Sequence, residues 1–369
     1  MLSKAIVAGV SQVDQWEPTV TVADALARLG QNSGNMMFAE ALNHVLDNPI
    51  ASSYSFAKAA PEGDAIVIAG ANWVNEFEDF SWLAHELERT DLPAFLVGVG
   101  AQAGLDHAIP KVTEGTRRAL KIVSERSALI AARGEFTCEV LNHYGITNVV
   151  PIGCPSLLLA GRAGPQFNRE AKAENVVVHG TRHGFGTTAP NQIWLYRQAF
   201  KHGHDILLQS ELADIYYALG RTNNAEVMAK AAAAVTAIYG VEDVARIADY
   251  LRKKGKFFTN VPTWSEYMQT RNFCVGTRIH GTVASIIAGT PAVLLVHDSR
   301  TLEMAKAMNI PHVLLSSLDI GKDLPLEEIL SVFEASKAFE GYQAYFESYM
   351  DFFARNGLAV AANMQLPVA

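Results

Sequence analysis

The run Phe273-Cys274-Val275-Gly276-Thr277-Arg278-Ile279-His280-Gly281-Thr282-Val283-Ala284-Ser285-Ile286-Ile287-Ala288-Gly289-Thr290-Pro291 decides how the rest of the chain reads. Phe273 to Val275 has the make-up of a buried strand, and Gly276-Thr277 reads as a tight turn. A helix follows with Ile279, Val283, Ile286 and Ile287 on one face; Gly289 stops it and Pro291 opens the next strand. Such a turn presents free backbone amides at a helix N-terminus, and Arg278 adds a planar fork of donors, so a phosphate or carboxylate is the natural guest. Arg278 paired with a structural carboxylate is the competing reading. His280 lies one step into the helix, beside this anion site, where proton transfer competes with a plain structural role.

Outward from this unit the same rhythm repeats, with short apolar runs alternating with helical patterns, as in parallel sheets with crossover helices. In the first half the expected strands are Ala5 to Val10, Ala65 to Ala69, Ala94 to Val99, Ala128 to Ala131 and Val149 to Ile152. Helices are expected over Met37 to Leu46, Phe80 to Glu88, Glu114 to Val123 and Glu135 to Tyr144. The polar, Gly-rich stretch Gly161 to Glu174 interrupts the rhythm, which restarts with strands at Val176 to Val178, Ile206 to Leu208, Phe257 to Phe258, Phe273 to Val275 and Pro291 to Val296. The fold class is therefore α/β, with two Rossmann-like parallel-sheet domains facing across a cleft. We expect domains over 1–165 and 166–337. The aromatic stripe Tyr342, Tyr345, Phe346, Tyr349, Met350 and Phe353 marks a C-terminal helix within 338–369 that packs back toward the first domain.

A length of 369 residues with 49% hydrophobic and 18% charged content excludes a disordered chain or a disulfide-stapled module. No apolar run is long enough to span a bilayer, and the N-terminus lacks a secretory pattern, so a cytoplasmic protein is expected. A net charge of -8 argues against nucleic-acid binding. Cys138, Cys154 and Cys274 are widely spaced and read as reduced, buried thiols. Walker-type loops, zinc motifs and nucleophile elbows are absent, and no metal or cofactor is expected. Homo-oligomerisation stays open.

Ligands of open parallel sheets sit beyond the carboxyl ends of the strands, which selects candidate binding residues. These are Asn72, Gly100 and Gln102, then Arg182 and His183, Gln209, Thr277 and Gly281, and finally His297, Asp298 and Arg300. Arg133 follows a strand just as Arg278 does, and two such arginines facing each other across a cleft suit a ligand with two anionic groups. A local acid such as Glu135 capping Arg133 is the alternative. Gly34 and Asn35, before a helix near Met36, form a weaker candidate loop. Glu76, Glu78 and Asp79 read as a solvated acidic loop with no metal-ligand spacing.

The order of these motifs resembles the polysaccharide pyruvyl transferase family. The resemblance is carried by Gly34-Asn35, Asp64 to Gly70, Pro93 to Gly100, Ala132-Arg133 with the helix ending at Gly145-Ile146, Ile152 to Ser156, and above all Val275 to Gly281 through Gly289-Thr290-Pro291. It implies a fold like that of the GT-B glycosyltransferases and transfer of the enolpyruvyl unit of phosphoenolpyruvate to a saccharide or lipid-linked saccharide. The product is a pyruvate ketal in surface polysaccharide biosynthesis. Carried over by position, Arg133 and Arg278 grip the donor and His280 acts as acid or base, with 1–165 as the acceptor side and 166–337 as the donor-binding side. The first-domain motif departs from the family pattern: Gly134, Glu135, Phe136 and Thr137 follow Arg133 where Asp and Ser are usual, and Met36-Met37 follow Gly34-Asn35. The alternatives are a GT-B glycosyltransferase with a nucleotide-sugar donor and a non-catalytic saccharide- or partner-binding protein.

Overall fold

The computed structural model describes residues 1–13, 20–103, 108–167, 171–186, 189–221, 223–337 and 339–366. Among the described residues twelve strands form two sheets of six, and every pairing between these strands is parallel. The first sheet contains β1 (Ala5–Ala8), β2 (Ile50–Ser52), β3 (Ala65–Ala69), β4 (Ala94–Val99), β5 (Ile130–Ala132) and β6 (Val149–Pro151), in the order β2-β1-β3-β4-β5-β6. The second contains β7 (Val176–His179), β8 (Asp205–Leu208), β9 (Gly255–Phe257), β10 (Phe273–Gly276), β11 (Ala292–Val296) and β12 (His312–Leu314), in the order β12-β11-β10-β7-β8-β9. The edge strands β2 and β12 lie outside the sequence expectation. Each has three residues, too few to show a period. The helix α1 (Val22–Arg28), capped by Thr21, was likewise not foreseen.

Both strand orders reverse direction once, between β1 and β3 and between β7 and β10. Crossover helices leave from opposite faces at such a switch point, so a crevice opens there beyond the strand ends. The central strands alternate between two apolar environments, as side chains in a strand must. Val7, Val67 and Val97 of the first sheet share a central core with Val177, Leu207, Cys274 and Leu294 of the second. Ile6, Ile66, Ile68 and Leu96 point to an outer core on the first sheet, and Val178, Ile206, Val275 and Val293 to one on the second.

Helix α2 (Asn35–Val45) and helix α11 (Ile279–Ile287) lie in that central core and join the two sheets. The stretch Gly161 to Glu174, apart from 168–170, which lie outside the described residues, contains no helix or strand. Helix α14 (Tyr342–Arg355) buries the whole aromatic stripe. The Tyr345 and Tyr349 hydroxyls donate to the carbonyls of Cys154 (2.6 Å) and Gly153 (2.9 Å). Asn356, just beyond this helix, accepts the Ala128 and Leu129 amides at 3.0 Å each. The chain end is thereby tied to the first half.

Candidate active site

A cleft of about 780 Å³ opens between the halves, lined by strand-end residues of both sheets. Arg133, Asn72 and Gln102 come from the first sheet; Thr277, Arg278, His280, His183, Gln209, His297, Asp298 and Arg300 come from the second.

Arg133 leaves β5 where its neighbour β4 is irregular. The ladder steps from Val97 opposite Ala131 to Val99 opposite Ala132, so Gly98 is an extra residue. Its φ of 77° is one that glycine adopts without steric cost. The Gly98 carbonyl accepts from Arg133 Nε at 2.7 Å, Asn72 Oδ1 from Nη1 at 2.9 Å and the Gly70 carbonyl from Nη2 at 3.3 Å. All three acceptors are neutral. Arg133 is 4% exposed, lies over the Phe38 ring and has no ion-pair partner among the described residues. Glu135 does not cap it. Glu303 acts on it only through space, without a bond, and a desolvated cation bonded to neutral dipoles alone is costly unless an anion arrives.

Arg278 differs. Its Nη2 meets Glu211 Oε1 at 2.8 Å, the Arg182 carbonyl at 2.6 Å and Ser210 Oγ, and its Nε donates to the Gly180 carbonyl at 3.0 Å. Glu211 is fully buried. Burial alone would raise its carboxyl, but the guanidinium groups of Arg278 and Arg182 and the amides of Gln209 and Ser210 outweigh that and pull it down to about 2. The anchored part of the fork thus serves a structural carboxylate. Arg278 caps α11 without a side-chain bond to the first turn.

Arg182 corrects the sequence expectation, because it does not line the cleft. It is fully buried, pairs with Asp214 and lies over the Tyr196 ring at 5.3 Å. Gly34, Gly100 and Gly281 also fall outside the lining. They act as spacers, since a Cβ at Gly34 would come within 2.5 Å of Gln209 Oε1 and 3.0 Å of His280 Nδ1. A Cβ at Gly100 would meet Arg133, and one at Gly281 would meet His179 and Gln209. Asn35 lines the cleft but spends its amide nitrogen on the Leu29 and Gly30 carbonyls, both at 3.1 Å.

His280 is buried between Phe38, at 5.4 Å between ring centroids, and Cys154, whose Sγ lies 3.5 Å from Nε2. Burial, then the positive charges of Arg133, Arg300 and Arg278, hold its pKa well below the ordinary value. The imidazole is therefore neutral at pH 7. Arg300 pairs with Asp298 at 3.1 Å, and Asp298 also caps α12 (Ser299–Ala307) through the Thr301 amide at 2.8 Å. Gln209 is fully buried, faces the cleft, and neither polar atom of its side-chain amide has a partner among the described residues.

Helix α12 carries Glu303 across to the other half. Its carboxylate accepts from the Thr137 hydroxyl at 2.7 Å and the Thr137 amide at 3.1 Å, in the first turn of α5 (Glu135–His143), just beyond Arg133. Burial outweighs these bonds and raises the Glu303 carboxyl to about 6.

Two features were not recognised from sequence. Glu78, exposed like Glu76 and Asp79 as a solvated acidic loop requires, also lines the cleft, and Tyr54, Phe77, Phe80 and Trp82 line it beside the strand-end residue Trp73. The aromatic spacing around Trp73 and Phe80 was the available signal. Among the described residues no cluster of His, Cys, Asp and Glu could hold a metal, and no helix is long and apolar enough to cross a membrane.

Two doubly wound parallel sheets with a cationic cleft at their carboxyl ends define a class: a two-sheet α/β protein suited to an anionic ligand. Within that class the chain belongs to the polysaccharide pyruvyl transferase family, whose model matches residues 32–299. No curated protein sequence matches the chain. Among solved structures, UDP-N-acetylglucosamine 2-epimerase from Rickettsia bellii is similar at 10% identity, over 96% of this chain and 99% of that one, with a TM-score of 0.37. The glycotransferase of kitacinnamycin is similar at 11% identity, over 93% and 85% of the two chains, with a TM-score of 0.28.

Proposed function

We propose that the protein transfers the enolpyruvyl unit of phosphoenolpyruvate to two hydroxyls of a saccharide, forming a pyruvate ketal and releasing phosphate. The observation that carries this reading is Arg133, a buried guanidinium with no ion-pair partner among the described residues, in one cleft with Arg278 and Arg300. A donor with a phosphate and a carboxylate supplies the missing negative charge, and charge-assisted bonds to guanidinium are strong when desolvated.

A proton adds to the methylene carbon of the donor, leaving an oxocarbenium-like C2, and one sugar hydroxyl attacks C2 and loses its proton. The C2–O bond to phosphate then breaks, phosphate leaves with a proton, and the second hydroxyl attacks C2 and loses its proton to close the ring. Arg133 holds the donor, and the positive field of Arg278 and Arg300 helps stabilise the negative charge that collects on the departing phosphate.

His280 handles the proton. In the free protein burial, and then three nearby arginines, keep it neutral. A multiply charged anion offsets those arginines, so the imidazole gains affinity for a proton when the donor binds and becomes able to deliver one. Donor binding near roughly pH 7 should therefore take up protons, because the pKa of His280 rises from well below its ordinary value. Calorimetry of phosphoenolpyruvate binding in buffers of different ionisation enthalpy reads this directly. We expect an uptake in the wild type that His280→Gln removes. Failure of the wild type to bind phosphoenolpyruvate, or to release phosphate with any saccharide acceptor, would overturn the proposal.

A further inference from the structure

The first half contributes an aromatic wall to the cleft, separate from the arginine side chains. Trp73 stacks on Phe80 with centroids 4.9 Å apart, and Tyr54 meets Trp73 edge-on at 5.5 Å. Trp82 lies 5.7 Å from Tyr54 and 5.8 Å from Phe80. Among the exposed large hydrophobic side chains of the described residues, the two aromatic ones are Phe77, 77% exposed, and Trp82, 39% exposed. Both line the cleft. Exposed rings gathered beside a ligand site are a contact surface, since apolar area left in water is unfavourable.

The loop carrying them is held in place. Asn75, buried, donates to the Asn72 carbonyl at 2.7 Å and to Glu78 Oε2 at 3.2 Å, while its Oδ1 accepts the Phe77 and Glu78 amides at 2.8 and 2.9 Å. The side chain of the same Asn72 accepts from Arg133 at 2.9 Å. One residue therefore fixes the aromatic wall relative to the uncompensated guanidinium, without waiting for a ligand.

Glu78 selects among guests for these rings. A carboxylate within an aromatic surface repels phosphates and is wasted on a hydrocarbon chain. A pyranose satisfies both: its C–H face lies on the rings and its hydroxyls donate to the carboxylate. We infer that Phe77, Trp82 and Glu78 form the acceptor subsite, taking a pyranose ring by its C–H face with Glu78 accepting from its hydroxyls. This assignment rests on the reading of the cleft as a ketal-forming site and adds which side chains of the first half receive the sugar.

The test is saturation-transfer NMR with methyl β-D-glucopyranoside, methyl β-D-galactopyranoside and their β-linked disaccharides, with phosphoenolpyruvate binding followed by calorimetry on the same preparations. In the wild type we expect transfer concentrated on ring C–H protons. Trp82→Ala and Phe77→Ala should each weaken saccharide binding at least five-fold, Glu78→Gln should weaken it by a similar factor, and Trp82→Phe should recover most of the loss. Phosphoenolpyruvate affinity should stay within two-fold throughout. Saccharide binding unchanged in Trp82→Ala and Phe77→Ala, or no transfer to any of these sugars, would overturn the assignment. Sugars that bind through the rings while phosphoenolpyruvate does not would instead remove the proposed donor and leave the subsite standing.

Discussion

Arg133 and Arg278 occupy the same local position, the step from a parallel strand into a helix, one in each half of the molecule. Their surroundings differ. Arg278 reaches Glu211, a carboxylate just beyond β8, and is nearly neutralised by it. Among the described residues, the hydrogen bonds of the Arg133 guanidinium go to Asn72 and the carbonyls of Gly70 and Gly98. A guanidinium tied to a carboxylate holds the fold, whereas one tied to neutral dipoles retains its charge for a ligand. Four variants break or sharpen that contrast.

The largest effect belongs to Arg278→Met. It strands the fully buried Glu211 without its main partner, so we expect a loss of about 3–5 kcal/mol in denaturant unfolding. Adding Glu211→Gln to the same chain should recover much of that loss.

Arg133→Met inverts the pattern. Removing a buried, unpaired cation should leave unfolding stability within about 1 kcal/mol of the wild type. The kcat/KM for phosphoenolpyruvate should instead fall by about 100-fold, the scale of losing one positioned charge donor. A collapse in stability with donor turnover intact would reverse the roles assigned to the two arginines.

Glu303, which bridges the halves next to Arg133, gives a pH-dependent effect. Its folded pKa is raised from 4.5 to about 6. The stability it contributes is therefore fully present below about pH 4.5 and lost as pH rises through about 6. Glu303→Gln stays neutral, so its melting temperature should match the wild type near roughly pH 4.5 and exceed it near pH 8, by about 2 kcal/mol of stability. A gap that narrows as pH rises would contradict the raised carboxyl.

The smallest effect comes from a residue outside the cleft lining. Tyr349→Phe removes the hydroxyl that the Gly153 carbonyl accepts, and should cost about 1–2 kcal/mol in thermal unfolding. It should leave kcat/KM unchanged, which separates stability from donor binding.

Much of this architecture was legible beforehand because it is local. Ala65–Ala69 and Ala94–Val99 are strands with the expected bounds, since a continuous apolar run flanked by turn residues needs no distant information. The rule that ligands meet strand ends brought Arg133, Asn72, Gln102, Arg278, His280 and Arg300 together correctly, because it depends on chain direction in parallel sheets. It failed for Arg182, which lies beyond a strand end but turns under the sheet to Asp214. Nothing near Arg182 in the chain distinguishes it from Arg133. The Glu211 and Asp214 partners lie on another crossover, and which arginine meets them is settled by packing.

By itself the sequence determined the parallel crossover units, the strand-end turns that carry the chemistry, and the buried aromatic stripe of α14, because these follow from the 2.0 and 3.6 residue periods and from glycine and proline placement. Only the tertiary structure decided which strand lies beside which, which arginine keeps its charge, and that Glu78 and the aromatic wall face the cleft. Those outcomes depend on pairings between distant segments, and the free energy of a buried charge is set by what surrounds it in space.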